Sequence, residues 1–246
     1  MSAFFVASDA IVPPTVRIDG PLLHHLRQSL RLQPGETLTI TDDRGVRYRT
    51  EILEVTHRVL IGRILETSTA PPTTSPSLVL AQSLLKGEKM DWVIQKATEL
   101  GVDRITPILA RQSIVRPRTE RIEHQRVRWQ RIALEAAQQS ERWSVPAIDE
   151  PATVSQMLSC SQTAASKLLL VERAQGSPLR SLSLPDGNHD TVTILIGPEG
   201  GWAQEELRAA TDHGFVTVTL GPRILRAETA AIAAVSVLQS RFGELG

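Results

Sequence analysis

Cysteine is nearly absent: Cys160 is the only one in 246 residues. That excludes an internal disulfide and a cysteine-based zinc site, and it fits a reducing compartment. Histidine offers no substitute. His24 and His25 are adjacent and diverge around a helix, His57, His124, His189 and His213 stand apart, and no H-E-x-x-H pattern occurs. The expectation is no metal. No apolar run reaches the roughly 18 residues of a membrane span, and the start at Met1-Ser2-Ala3-Phe4-Phe5-Val6 lacks the flanks of a signal peptide. A cytoplasmic protein with no membrane contact is expected. Neither the P-loop spacing nor G-x-G-x-x-G is present, which excludes the usual phosphate cradles. Net charge is also missing, with 27 basic side chains against 27 acidic ones.

What is present is a globular chain with 41% hydrophobic residues, enough for a full core. The zero net charge hides a segregation. Residues 77–143 carry 12 basic and 8 acidic side chains, whereas residues 144–246 carry 7 and 11. Within the basic part, Arg111, Arg116, Arg118, Arg121, Arg126, Arg128 and Arg131 have only Glu120 and Glu123 nearby in sequence. A local positive field of this kind can neutralise a nucleic-acid backbone, and Arg111, Arg116, Arg118 and Arg121 are the candidate RNA contacts. A solvated helix face explains the same charges equally well.

Two segments follow from the periodicity. Strands are expected at Phe4–Val6, Thr15–Ile18, Thr37–Thr41, Val46–Val55 and Val59–Leu65, with a short helix over Pro21–Leu32, which together read as a compact β-barrel over residues 1–70. The uncharged stretch Pro71–Pro76 reads as a linker. From residue 77 to 246, strands at Leu78–Ala81, Arg104–Leu109, Leu168–Glu172, Val192–Ile196 and Phe215–Leu220 alternate with helices at Lys86–Gly101, Arg121–Gln139 and from Ala203. That alternation predicts a mostly parallel α/β sheet.

Two turns in this half carry the chemistry. The strand ending at Ile196 empties into Gly197-Pro198-Glu199-Gly200-Gly201-Trp202, where glycines let backbone groups approach a ligand and Glu199 disfavours a phosphate. Further on, Leu220-Gly221-Pro222-Arg223-Ile224-Leu225-Arg226 runs directly into an alanine-rich apolar helix. Ala227, Ala230, Ala231, Ala234, Val235, Leu238 and Phe242 trace one face of that helix, so it is expected to be buried, with its positive N-terminal end at Arg226–Glu228.

The segments Ile-Gly-Pro-Glu-Gly-Gly-Trp (196–202) and Leu-Gly-Pro-Arg-Ile-Leu-Arg-Ala-Glu-Thr-Ala (220–230) resemble the two signature loops of the ribosomal RNA small subunit methyltransferase E family. That family belongs to the SPOUT class of knotted methyltransferases. Lys86–Trp92 and Gln95–Val102 are similar to its first motif. The chain departs from the family's pattern at Ser2 and Ala3, where an Arg commonly follows the initiator Met, at Gln138, usually Glu, and at Glu141, often Gly.

The resemblance implies a PUA-like barrel for RNA binding, followed by a SPOUT-type trefoil-knotted sheet with helices on both faces. It implies transfer of a methyl group from S-adenosyl-L-methionine to N3 of a uridine in small-subunit ribosomal RNA, free or in the assembled subunit, by a homodimer formed through the C-terminal domain. The implied cofactor residues are Leu170, Val171, Glu172, Ile196, Gly197, Pro198, Glu199, Gly200, Gly201, Leu220, Gly221, Ile224, Leu225, Arg226, Glu228 and Ala230. A ribose 2′-O-methyltransferase of the same fold and a non-catalytic RNA-binding protein are the alternatives. For the chemical step, Arg226 suits stabilisation of a developing uracil anion. Glu199 is the candidate base if burial raises its pKa, and otherwise a partner for the cofactor's ammonium.

Overall fold

The structure, a computed structural model, describes residues 3–116, 119–172 and 176–245. The chain divides into two compact units, Met1–Pro72 with Ala137–Ser144, and Thr73–Ala136 with Val145–Gly246.

The first unit is built from β1 (Ala3–Val6), β2 (Ile11–Val12), β3 (Thr15–Ile18), α1 (Gly20–Gln28), β4 (Thr37–Asp42), β5 (Val46–Val55) and β6 (Leu60–Thr69). The strands pair in the order β1-β4-β5-β6-β3-β2; β1 and β4 are parallel and the other pairs antiparallel. Alternating residues Phe4, Val16, Ile18, Leu38, Ile40, Ile52 and Leu60 form its core, onto which α1 closes with Leu23 and Leu26. Register shifts in the β5/β6 ladder bend the sheet on either side of the Ile52–Gly62 pair. A Cβ on Gly62 would stand 2.3 Å from Thr50 Cγ2, so no larger residue fits. The expected helix over Pro21–Leu32 ends earlier, at Gln28, because Arg31 adopts a left-handed φ of 55°. Asp42 closes the β4–β5 turn by accepting the Arg44 and Val46 N–H groups at 3.0 and 2.8 Å.

Residues 137–144 belong to this unit and carry the end of α3 (Thr119–Gln139). Arg47 holds them by donating to the Glu141 and Arg142 carbonyls, both at 3.0 Å, with its guanidinium 3.8 Å from the centroid of the Trp143 ring.

The second unit contains β7 (Ser77–Ser83), α2 (Lys89–Glu99), β8 (Arg104–Leu109), most of α3, β9 (Ala147–Ile148), β10 (Ala152–Thr153), α4 (Val154–Cys160), β11 (Ser166–Leu170), β12 (Ser177–Pro178), β13 (Thr191–Ile196), α5 (Gln204–Asp212), β14 (Val216–Thr219) and α6 (Ala227–Arg241). The sheet runs β10-β8-β7-β13-β11-β14-β12, with β9 also on β8, and every pairing is parallel. Both faces are covered, as a parallel sheet requires. Leu78, Leu80, Ile105, Leu168, Ile194 and Ile196 pack under α2, α3 and α6, while Val79, Ala81, Ile108, Leu169 and Leu195 pack under α4 and α5.

Helix α6 is buried as its composition predicts, through Ala230, Ala231, Ala234, Val235 and Leu238. One polar residue joins them. Gln239 is 3% exposed, and its amide donates to the Leu100 carbonyl at 2.8 Å, which fastens the last turn of α6 to the end of α2. Gly101 makes the approach possible. It sits at φ +90°, and a Cβ there would stand 2.6 Å from Gln239 Nε2.

Candidate functional site

Strands β13, β11 and β14 are neighbours, and the segments leaving their carboxyl ends converge. Ligands of parallel sheets collect at that edge. Here residues 170–172, 196–202, 220–221, 223–227 and 230 enclose a cavity of about 720 Å³, together with Lys89, Gln112, Gln204 and Leu207. Its volume matches a cofactor-sized molecule.

Glycine turns and one indole shape the walls. Trp202 donates its indole N–H to the Leu170 carbonyl at 3.0 Å, tying the loop after β13 to the end of β11. Gly197 lies under that ring, where a Cβ would meet Trp202 Nε1 at 3.0 Å. Gly201 closes the turn with φ +76° and donates to the Pro198 carbonyl at 2.9 Å. Gly221 has φ +112° and open space around it, which leaves its peptide accessible to a ligand.

The charged side chains of the lining are Lys89, Glu172, Glu199, Arg223 and Arg226, and Lys89 pairs with two carboxylates, one in the lining and one beyond it. Its Nζ lies 3.4 Å from both Glu199 Oε1 and Glu228 Oε2. Burial pushes the Glu199 carboxyl up, but its own N–H, the Lys86 N–H and Lys89 more than offset this and hold it below the ordinary glutamate range. The condition for Glu199 as a base, a pKa raised by burial, is therefore not met. Glu206 braces the same region from behind. It accepts the Arg111 N–H at 2.9 Å and the Ala203 N–H at 3.1 Å, joining the end of β8 to the start of α5.

Of the sixteen residues expected to hold a cofactor, fifteen line this cavity and Glu228 does not. Arg226 is the N-cap of α6, and Arg226, Ala227 and Ala230 face the cavity. Glu228 and Thr229 are rotated one to two steps of about 100° further round the helix and line a second cavity of about 610 Å³ instead. Arg226 is exposed, and Glu199 and Glu228 pair with Lys89. Lys89, Gln112, Trp202, Gln204, Leu207, Arg223 and Ala227 complete the lining. Lys89 and Trp202 stand inside the family-like segments, whereas Gln112 carries no sequence signal.

The arginine run is less free than its sequence suggests. Arg111 pairs with Glu205, Arg126 with Glu123, Arg128 with Asp91 and Arg131 with Glu135. Arg116 and Arg121 are exposed and form no ion pair among the described residues; Arg118 lies outside them. No group of three or more His, Cys, Asp or Glu is placed to hold a metal, and no helix is long and apolar enough to cross a membrane, among the described residues.

A parallel sheet with this ligand corner, joined to a curled β unit, is the arrangement of RNA methyltransferases. A family model described as an RNA methyltransferase domain matches residues 72–239, and one described as an RNA methyltransferase PUA domain matches residues 18–65. The chain is 33% identical to ribosomal RNA small subunit methyltransferase E of Synechocystis sp. over 96% of this chain and 76% of that protein. To the Bacillus subtilis protein of the same name it is 32% identical, over 92% and 90%. It superposes with a TM-score of 0.87 and 30% identity on the crystal structure of the Neisseria gonorrhoeae enzyme of that name bound to S-adenosyl methionine, covering 98% of both chains. The Legionella pneumophila methyltransferase Lpg2936, with the bound cofactor SAM, gives 0.88 and 30% over 97% of each. The chain belongs to the ribosomal RNA small subunit methyltransferase E family.

Proposed function

We propose that this protein methylates N3 of a uridine in small-subunit ribosomal RNA, using S-adenosylmethionine. The observation that carries the reading is the glycine-walled cavity at the ends of β11, β13 and β14, with the cationic N-cap residue Arg226 on its rim. The residues fit the cofactor. The open peptide at Gly221 suits the edge of an adenine, and Glu172 and Glu199 suit a ligand bearing positive charge and no phosphate. When bound, the cofactor supplies an electrophilic methyl group on a sulfonium.

The chain's own groups then set up the transfer. Glu199, kept ionised, is assigned to the cofactor's cationic groups. Arg226 is assigned to the uracil oxygens on which charge develops as the N3 proton leaves, with the positive end of α6 behind it. The unit formed by residues 1–70 and the exposed Arg116 and Arg121 supply RNA affinity. Two further assignments accompany the reading: the trefoil knot of the SPOUT class in residues 77–246, and a cytoplasmic homodimer formed through this unit. Ile232, Ala233 and Val237, half-buried along one flank of α6, support the latter.

Mass spectrometry of small-subunit ribosomal RNA from cells with and without the protein tests the reading. A methyl group on uracil N3 that disappears with the protein is the expected result. Methylation of a ribose oxygen instead returns the reading to the ribose alternative, and no change in any nucleotide overturns the enzymatic assignment.

A further inference from the structure

Among the described residues, Lys89 alone lines both cavities. It is the first residue of α2. Its Nζ lies 3.4 Å from Glu199 Oε1, on the turn after β13, and 3.4 Å from Glu228 Oε2, in the first turn of α6. Three segments distant in sequence thus meet on one ammonium. Neither carboxylate is bathed in water, since the Glu199 side chain is 22% exposed and that of Glu228 is 14% exposed. Their other support is unequal. Glu199 also accepts the Lys86 N–H at 3.3 Å, whereas Glu228 Oε2 is buried without a hydrogen bond, so that the charge of Lys89 is what compensates it. Two carboxylates on one lysine leave an excess of negative charge, and like charges held close oppose each other's ionisation. A fold is not stabilised by that excess. A cationic ligand is.

The other charged groups at this junction do not relieve it. Glu88, Asp91 and Arg128 line the second cavity, where Arg128 and the Trp129 indole already bond to Asp91. Glu172, Arg223 and Arg226 line the first, and among the described residues none of them forms an ion pair with Glu199 or Glu228. No histidine lines either cavity among the described residues.

We infer that Lys89 is a positioning residue for the methyl donor: it is the counter-ion that lets Glu199 and Glu228 stand side by side as carboxylates, and it thereby presents Glu199 as an anion to the cofactor's cationic groups. The inference rests on the assignment of Glu199 made above. It also gives a task to Glu228, which does not line the first cavity. As the second anion on Lys89, Glu228 holds the ammonium at the junction and keeps it from turning toward the sulfonium, whose charge it would repel. Removing the ammonium reverses the balance at Glu199. Burial and the Glu228 charge then act together against ionisation, opposed only by the Glu199 and Lys86 N–H groups. A carboxyl protonated in part before binding gives up its proton when a cation arrives, so cofactor affinity becomes weaker as pH falls.

Calorimetric titration of S-adenosylmethionine into the full chain at pH 7 and pH 5.5, in buffers of different ionisation enthalpy, reads affinity and proton release together. The parent is expected to bind equally at both pH values within about twofold and to release no proton at pH 5.5. Lys89→Met should bind roughly threefold or more weakly at pH 5.5 than at pH 7, with protons released on binding. Adding Glu228→Gln to Lys89→Met removes the second anion along with its counter-ion and should restore the parent's pH profile. A loss of packing would not be repaired by a second substitution. A Lys89→Met variant whose affinity is unchanged, or is reduced equally at both pH values with no proton released, overturns the inference. Glu199→Gln separates this from the reading beneath it. Undiminished cofactor affinity in Glu199→Gln removes Glu199 from the cofactor and the inference with it; reduced affinity there, beside a Lys89→Met variant without pH dependence, leaves Glu199 in place and removes only the role of Lys89.

Discussion

Trp202 donates its indole N–H to the Leu170 carbonyl at 3.0 Å, and its ring occupies the space a side chain on Gly197 would need. The bond joins two neighbouring strands' loops into one wall, and the absence of a Cβ at 197 is what lets the ring lie there. Gly197→Val is therefore expected to displace Trp202 and open the wall. Calorimetry should show S-adenosylmethionine affinity falling at least tenfold, about 1.4 kcal/mol, with the circular dichroism spectrum unchanged. Full retention of affinity would mean that this wall does not touch the cofactor.

Arg226→Ala tests the rim. Loss of a donor to a developing oxyanion costs about 2–4 kcal/mol of transition-state stabilisation, so the single-turnover rate should fall by roughly two to three orders of magnitude. Cofactor affinity should change far less, because Arg226 is one exposed residue among the many that line the cavity. A variant that methylates normally in a single turnover removes Arg226 from the reaction.

Acid should act through Glu199. Its carboxyl is held below the ordinary glutamate range in the folded chain, so its pairing with Lys89 and the two N–H groups stabilises the fold above the unfolded pKa of about 4.3. That contribution is lost as pH falls through the lower folded value. Thermal melts from pH 6 to pH 3 should show a shallower acid decline for Glu199→Gln than for the parent. Parallel declines would show that the carboxylate is not held in this way.

Among the arginines, Arg116 and Arg121 separate from the rest because neither is neutralised by a described carboxylate. Changing both to Glu should weaken RNA binding and flatten the slope of log affinity against log salt by about two, one for each phosphate no longer neutralised. Arg126→Glu and Arg131→Glu, which break local pairs with Glu123 and Glu135, should alter the slope less. An equal change for both sets would indicate a diffuse field that singles out no phosphate.

The end of α3 offers a stability test. Arg142 N–H bonds to the Ala137 carbonyl at 3.0 Å and Glu141 N–H to Gln138 at 3.3 Å, with Glu141 at φ 54°. This is the left-handed helix stop that favours glycine. Glu141→Gly should raise stability to urea by about 1 kcal/mol, provided the Arg47 bond to the Glu141 carbonyl persists, as a backbone contact should. A fall in the unfolding midpoint would show that the Glu141 side chain matters more than its backbone.

Strands β3 and β5 were legible to the residue, because Pro13-Pro14 and Asp42–Gly45 bracket clean alternation. Helix α4 was not, since seven residues give too little periodicity. Its start was nonetheless written in the reciprocal bonds of Thr153 and Gln156, a capping box that the spacing alone shows. At the site, contiguous glycine turns revealed nearly the whole lining of the first cavity. The failures are of a different kind. Lys89 meets Glu199 across 110 residues, and Asp91 and Glu205 reach the arginines from elsewhere in the chain, so no local pattern records them. The direction in which Glu228 points depended on helical phase at a boundary, where one residue decides the face.

The buried amide of Gln239 gives α6 two fixed ends. Its far end is clamped to the Leu100 carbonyl, and its near end begins at Arg226 on the rim of the first cavity, about 22 Å away for fifteen residues. A stiff rod anchored so cannot shift at one end alone. Crowding Gly101 with even one methyl group pushes on Gln239, and the displacement is delivered along the rod to the turn at Gly221 and Arg226. Damage at a place that lines no cavity is thereby expected to be felt at the cavity rim, with the helix acting as its lever arm.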